Sequence, residues 1–270
     1  MQTESTPAPK HRDKPILKVW LDAQALTIKG ADAADFLQGY LTCDTKRLAR
    51  REVIPMALCT VKGRTLASGW AISRPDGIAL IIHASLVEQV KAFLKPYITF
   101  SKCTLVGETE AIYVTRTATR ATTITEAETG AETKTDNPAT EFLTDVAFID
   151  YSAHDNTDLG KIEDCSQDMA ELLIQHKFVF ISAAISEQFL PQMLNLDDAG
   201  ALDFDKGCYL GQEIVARVQF RGTVKRKTKA FVWQDQEPKV GDLLTLGDLD
   251  GTVVATAQSG DGLVCTKIDR

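Results

Sequence analysis

Apolar and polar side chains alternate from residue 16 to residue 29, a period near two that predicts paired strands. Gly30-Ala31-Asp32 ends the alternation and offers Asp32 as the N-cap of a helix over residues 33–41, in which Leu37 and Leu41, four apart, share one face. Residues 53–60 and 66–72 then read as two strands. Between them Lys62-Gly63-Arg64 is a glycine turn that closes a hairpin. Residues 78–83 form a third strand. Residues 85–94 repeat apolar side chains at helical spacing, with Ser85 as the cap and a stop before Pro96. Strands followed by a helix in this order predict a small α+β layer.

Residues 117–140 break the pattern. Thr, Ala and Glu dominate, Ile124 is the one large aliphatic side chain, and such a stretch predicts a mobile surface loop. Order resumes with a strand over 141–149 and a helix over 164–176. Beyond Phe189-Leu190-Pro191 the chain is dense in Asn, Asp, Gly and Lys. From Lys225 it alternates like a small all-β unit, with turns at Gly241-Asp242, Gly247-Asp248 and Gly260-Asp261-Gly262. Residues 1–14 are a polar, proline-containing tail without the apolar core of a signal sequence. No later apolar run approaches the ~20 residues of a membrane span, so a cytoplasmic chain with no membrane partner is expected.

A length of 270 residues, 44% of them hydrophobic and 25% charged, suffices for one large core or a few small ones. The six cysteines, at 43, 59, 103, 165, 208 and 265, are never closer than 16 residues, which argues against a zinc ribbon or a self-contained iron–sulfur site. Most of them read as small buried hydrophobes with free thiols. His11, His83, His154 and His176 lack carboxylate or cysteine partners at ligand spacing, so no metal is assigned. The net charge of -7 is unevenly spread. Residues 121–170 carry twelve acidic and two basic side chains, whereas 206–229 carry seven basic and one acidic. A basic island of this kind suits an anionic ligand, or is a solvated lysine-rich surface.

Within the island stands Lys206-Gly207-Cys208-Tyr209-Leu210-Gly211-Gln212-Glu213. A thiol acts as a nucleophile or soft ligand through its thiolate, which nearby cations and backbone N–H groups favour, and the two glycines permit close backbone approach or positive φ. The segment, continued by Ala216-Arg217 and Arg221-Gly222, resembles the signature of the YgfZ family, whose fold is related to the aminomethyltransferase (T-protein) of the glycine cleavage system. Three further segments resemble that family in the same order: residues 30–39 with Thr42 and Asp44, residues 59–64, and residues 189–197.

The resemblance implies an α+β, three-domain T-protein-like ring. Residues 15–50 and 141–224 would form a split first domain, 51–116 an inserted ferredoxin-like domain, and 225–270 a C-terminal β-barrel. It implies a folate-binding accessory protein that supports synthesis or repair of iron–sulfur enzymes, including those that modify tRNA. The cofactor would be tetrahydrofolate, the partners iron–sulfur proteins and their assembly factors, and RNA would be reached only through the modifying enzymes. In that frame Cys208 is the functional thiol, while Lys206 lowers its pKa and attracts a polyglutamate tail. Arg217 and Arg221 bind carboxylates, though an i+4 ion pair of Arg217 with Glu213 fits equally well. Gln212 and Asn195 offer donors and acceptors to a pterin edge, or tie loops together. Asp44 and Asp197 pair with pterin nitrogens, or cap helices. Lys62 and Arg64 form a second cationic patch, or decorate a hairpin. Trp20, Phe178 or Tyr209 supplies a stacking surface. Two other readings compete. A tetrahydrofolate-dependent aminomethyl or methyl transferase shares the fold but uses a carboxylate and has no need of a thiol. Direct RNA binding lacks aromatics interleaved with the basic residues.

Overall fold

The computed structural model of the chain describes residues 17–49, 53–107, 109–116, 146–149 and 162–268, so the expected tail and the expected loop at 117–140 lie outside the described residues. The alternating first segment is one long strand, β1 (Leu17–Lys29), rather than a pair. Its register shifts between Trp20 and Gln24, and that irregularity lets one strand serve several neighbours along its length. The hairpin forms as expected from β2 (Val53–Cys59) and β3 (Thr65–Arg74), followed by β4 (Gly77–His83). After β5 (Thr104–Leu105) and β6 (Glu110–Arg116) come β7 (Val146–Ile149) and β8 (Glu163–Asp164). These eight strands make one sheet in the order β2-β3-β4-β1-β6-β7, with β5 and β8 also paired to β1. Pro55, which has no N–H to give, sits in the terminal strand β2, where a ladder bond is not required on both sides.

Four α-helices lie among the described residues. Helix α1 (Ala33–Gln38) starts at Asp32 as expected, although that side chain makes no capping bond, and a 3-10 turn follows at Thr45–Ala49. Helix α2 (Val87–Ile98) differs from expectation at both ends. His83 rather than Ser85 caps its 3-10 lead-in (Ala84–Leu86), and the helix runs through Pro96. Pro96 lies in the last turn, where it removes a single intrahelical bond, while burial of Val90, Leu94 and Ile98 continues the apolar stripe past it. Helix α3 (Ser166–Gln175) matches the expected helix, and α4 (Gln212–Arg221) closes the signature segment.

The C-terminal unit holds β9 (Arg226–Val232), β10 (Leu243–Leu246), β11 (Leu249–Thr256) and β12 (Asp261–Lys267) in a four-stranded antiparallel sheet, order β10-β11-β12-β9. It has a small apolar cluster of Phe231, Val253 and Val264. The main core is far larger and centres on Trp20, Trp70 and Phe178, each almost fully buried. Residues on either side of the boundary expected at 50/51 share this sheet, with β1 hydrogen-bonded to β4 from Ala23–His83 to Lys29–Gly77. A mixed α and β architecture therefore stands.

Candidate functional site

Two features carry chemistry, and the first is the loop that presents Cys208. Thr42, fully buried, accepts the Ala57 N–H at 2.9 Å and donates its hydroxyl to the Ala201 carbonyl at 2.6 Å, joining three segments at one point. The Asp203 N–H bonds the Thr42 carbonyl at 2.9 Å, and the Leu210 N–H bonds that of Gly39 at 3.0 Å. Between these anchors Lys206 turns inward. Its ammonium donates to the carbonyls of Gln38, Leu41 and Cys43 at 2.8, 2.7 and 2.8 Å, which engages all three of its N–H bonds. Its Nζ also lies 5.2 Å from the centre of the Tyr209 ring. Burial pulls its pKa down to about 8, against the opposing pull of Cys43, Asp44 and Asp203. Lys206 is thus a clamp between the end of α1 and the signature loop, and the expected role as a free cation for an anionic tail is corrected by these three bonds.

The clamp leaves Cys208 exposed, whereas Cys43, Cys59, Cys165 and Cys265 are buried. Burial pushes those four thiols up, to about 12 for Cys43 and Cys59 and about 11 for Cys165 and Cys265. Cys208 opens onto a broad surface cleft of about 550 Å³ lined by Val61, residues 209–214 and Ala216. Gly211 begins α4 at φ +83°, and a Cβ there would run into the Thr60 carbonyl oxygen and come within 3.1 Å of the Gly63 Cα. Gly63, at φ +68°, in turn faces Ile214. The β2–β3 turn and the start of α4 touch through these two glycines, and that contact brings Val61 beside Cys208.

The second feature is an aromatic pocket of about 150 Å³ where the large sheet, α3 and the C-terminal sheet meet. Trp20 and Asp22 of β1 line it, with His83, Ala170, Leu173, Phe178, Phe180, Ser182, Val240 and residues 254–256. Ring centres lie 4.8 Å apart for Trp20–Phe180 and for Trp70–Phe178, the latter pair stacked at 21°. His83 lies 5.6 Å from Phe180, and burial lowers its pKa while Asp22 opposes the shift. Flat aromatic walls with a few polar groups suit a flat heterocycle.

None of the ten residues expected to bind the cofactor lines this pocket, and the side chains of seven are held by bonds within the protein. Asp44 accepts from the Gln38 amide at 2.8 Å and the Lys46 N–H at 3.1 Å, so it caps the 3-10 turn. Arg64 donates to the Gln188 carbonyl at 2.7 Å. Asn195, at φ +57°, donates to the Thr228 carbonyl at 3.0 Å, and Asp197 pairs with Lys227 at 3.2 Å. Glu213 and Arg217 form the i+4 ion pair, at 2.6 Å. Tyr209 is buried, which raises its pKa, and Gln212 accepts the Tyr209 N–H at 3.4 Å. Lys62 and Arg221 are exposed. Trp20 and Phe178, expected as stacking surfaces, do line the pocket. Asp22, His83, Phe180 and Ser182 were not among the residues expected to bind the cofactor, and all four line the pocket. Among the described residues, no group of three or more His, Cys, Asp or Glu side chains could hold a metal ion, and no helix is long and apolar enough to cross a membrane.

Comparison with known proteins follows the same lines. The chain is 34% identical over 279 aligned positions to the tRNA-modifying protein YgfZ of Escherichia coli O139:H28, covering 94% of this chain and 85% of that one. It is 32% identical to the protein of the same name from Sodalis glossinidius, covering 93% of this chain and 83% of that one. The chain belongs to the YgfZ family. The Enterobacter sp. member is 31% identical, covering 94% of this chain and 85% of its own length. No family model matches. Among solved structures, glycine cleavage system aminomethyltransferase T from Bartonella henselae superposes with a TM-score of 0.56 at 12% identity, covering 92% of this chain and 78% of that one. That likeness makes the fold of this YgfZ-family chain T-protein-like.

Proposed function

We propose that this YgfZ-family protein binds a folate derivative in the aromatic pocket and supports tRNA modification as an accessory protein, with Cys208 as its functional thiol. The observation that carries the reading is the pairing of a polar-edged aromatic pocket with a single exposed signature cysteine on a clamped loop. A pterin is a flat ring with donors and acceptors on its edge. Half-buried Phe180 offers it a ring, backed by the buried rings of Trp20 and Phe178, and Asp22, His83 and Ser182 offer it polar groups. At about 150 Å³ the pocket is smaller than the ~300–1,000 Å³ of a site that engulfs a drug-sized ligand, so the ring enters and the glutamate tail stays outside. Tetrahydrofolate, when bound, supplies a carrier for one-carbon units.

The open cleft at Cys208 suits a macromolecular partner better than a small molecule, and we assign it to iron–sulfur proteins that modify tRNA or to their assembly factors. A cluster usually needs four ligands, so one thiolate from this chain leaves the other ligands to the partner. The described sheets and the T-protein likeness are compatible with a three-domain ring whose last unit is a barrel. The test is complementation of a bacterial strain lacking its own family member, with thiolated tRNA nucleosides measured by mass spectrometry under oxidative stress. The wild-type chain should restore them and Cys208→Ala should not. Full restoration by Cys208→Ala would remove the thiol from the mechanism.

A further inference from the structure

His83 occupies the rim of the aromatic pocket at the end of β4, and its hydrogen bonds define which ring nitrogen carries the proton. The Ser85 N–H donates to His83 Nδ1 at 3.1 Å, so Nδ1 is an acceptor. The Ser85 hydroxyl accepts the Ala183 N–H at 3.0 Å and lies 2.8 Å from the same Nδ1, so its own hydrogen is free to point there. A neutral imidazole that accepts at Nδ1 carries its hydrogen on Nε2. Burial holds the ring neutral by lowering its pKa, with the Asp22 carboxylate the one charged group acting against it. Nε2–H has no hydrogen-bond partner among the described residues, and the ring borders the pocket beside Phe180 and Asp22. Two segments thus converge to orient one donor: the lead-in to α2, through Ser85, and the loop after α3, through Ala183.

We propose that His83 is a specificity-determining residue of the pocket, presenting Nε2–H to the ring oxo group of a 2-amino-4-oxo heterocycle. The assignment rests on the folate reading and deepens it. A donor at this point donates to an oxo oxygen and rejects an amino group, because an N–H facing an N–H leaves two buried donors unpaired. The Asp22 carboxylate in the same pocket is acceptor-only, which matches the amino and ring N–H groups next to that oxo oxygen.

Two measurements on the full chain test this. Two-bond ¹H–¹⁵N correlation spectra of histidine-labelled protein at pH 7.5 should show His83 neutral with the proton on Nε2. A proton on Nδ1, or an imidazolium, overturns the assignment without any substitution. Calorimetric titration with folic acid and with aminopterin, which replaces the 4-oxo group by an amine, should show about tenfold preference for folic acid, the effect of one hydrogen bond to a neutral group. His83→Leu should abolish that preference. Binding of both compounds with the ratio unchanged in His83→Leu overturns the role of His83 and leaves the folate pocket standing. Binding of neither by the wild-type chain overturns the folate reading and this assignment with it.

Discussion

The two glycines that flank Cys208 should respond very differently to alanine. At Gly211 the backbone sits at φ +83°, where a Cβ costs roughly 1–2 kcal/mol, and that Cβ would also meet the Thr60 carbonyl oxygen and the Gly63 backbone. Backbone on both sides cannot rotate away as a side chain does. Either the β2–β3 turn or the start of α4 must shift, so overpacking adds about 1–3 kcal/mol. Against this stands the ~0.4–1 kcal/mol that any glycine-to-alanine change gains by restricting the unfolded chain. A net loss of about 3 kcal/mol follows, or about 6–10 °C in Tm for a chain of this size. Gly207 has nothing within 4 Å of an added Cβ, so Gly207→Ala should lie between neutral and about 1 kcal/mol more stable. Urea unfolding of both variants, with calorimetric scans, decides the matter. Equal midpoints for the two variants would refute the contact between the hairpin turn and α4.

Other consequences are open to measurement. Iodoacetamide at pH 8 should alkylate Cys208 and, more slowly, half-buried Cys103 in the native chain, while the four buried thiols react only after unfolding, as peptide mapping would show. Lys206→Met removes the donor to three carbonyls, and the amides of Leu210 and Asp203 should then exchange hydrogen at least about tenfold faster, with those of β3 unchanged. Because the folded lysine titrates near 8 and an unfolded one near 10.5, the unfolded chain binds more protons between those values. Wild-type stability measured against Lys206→Met should therefore rise with pH across that window and fall back as pH drops through 8; a flat difference would contradict burial of the ammonium. Phe178→Ala should cost about 3–5 kcal/mol by urea titration, since it empties the stack on Trp70.

Much of the fold was legible because period-two and helical patterns survive wherever one face is buried, as in the hairpin around Gly63 and the stripe of Val90 and Leu94. Where the chain departed from expectation, a tertiary partner decided. Alternation in β1 cannot reveal that one strand pairs with β4, β5, β6 and β8, and a proline rule cannot foresee that Ile98 rewards another turn of helix. At the site, the signature pointed to an exposed cysteine, and the glycines at 63 and 211 do what their freedom allows. Charge was the misleading signal. Lys206, Arg64, Asp44 and Asp197 are polar residues in a suggestive order, yet the fold spends each on backbone or an ion pair, because a buried or half-buried polar group must be satisfied before a ligand arrives. The pocket residues were hidden for the opposite reason. Trp20, Phe180 and His83 come from separate segments, and nothing local marks them as a group until the fold brings them together.

Calorimetric titration of the reduced chain with tetrahydrofolate, beside Ala170→Phe, which fills the pocket from α3, and Cys208→Ala, which leaves it untouched, addresses the folate pocket most directly. Saturable binding of one ligand per chain is expected for the wild type and for Cys208→Ala, with the heat lost in Ala170→Phe. No heat from the wild type, or equal heat from Ala170→Phe, would contradict it.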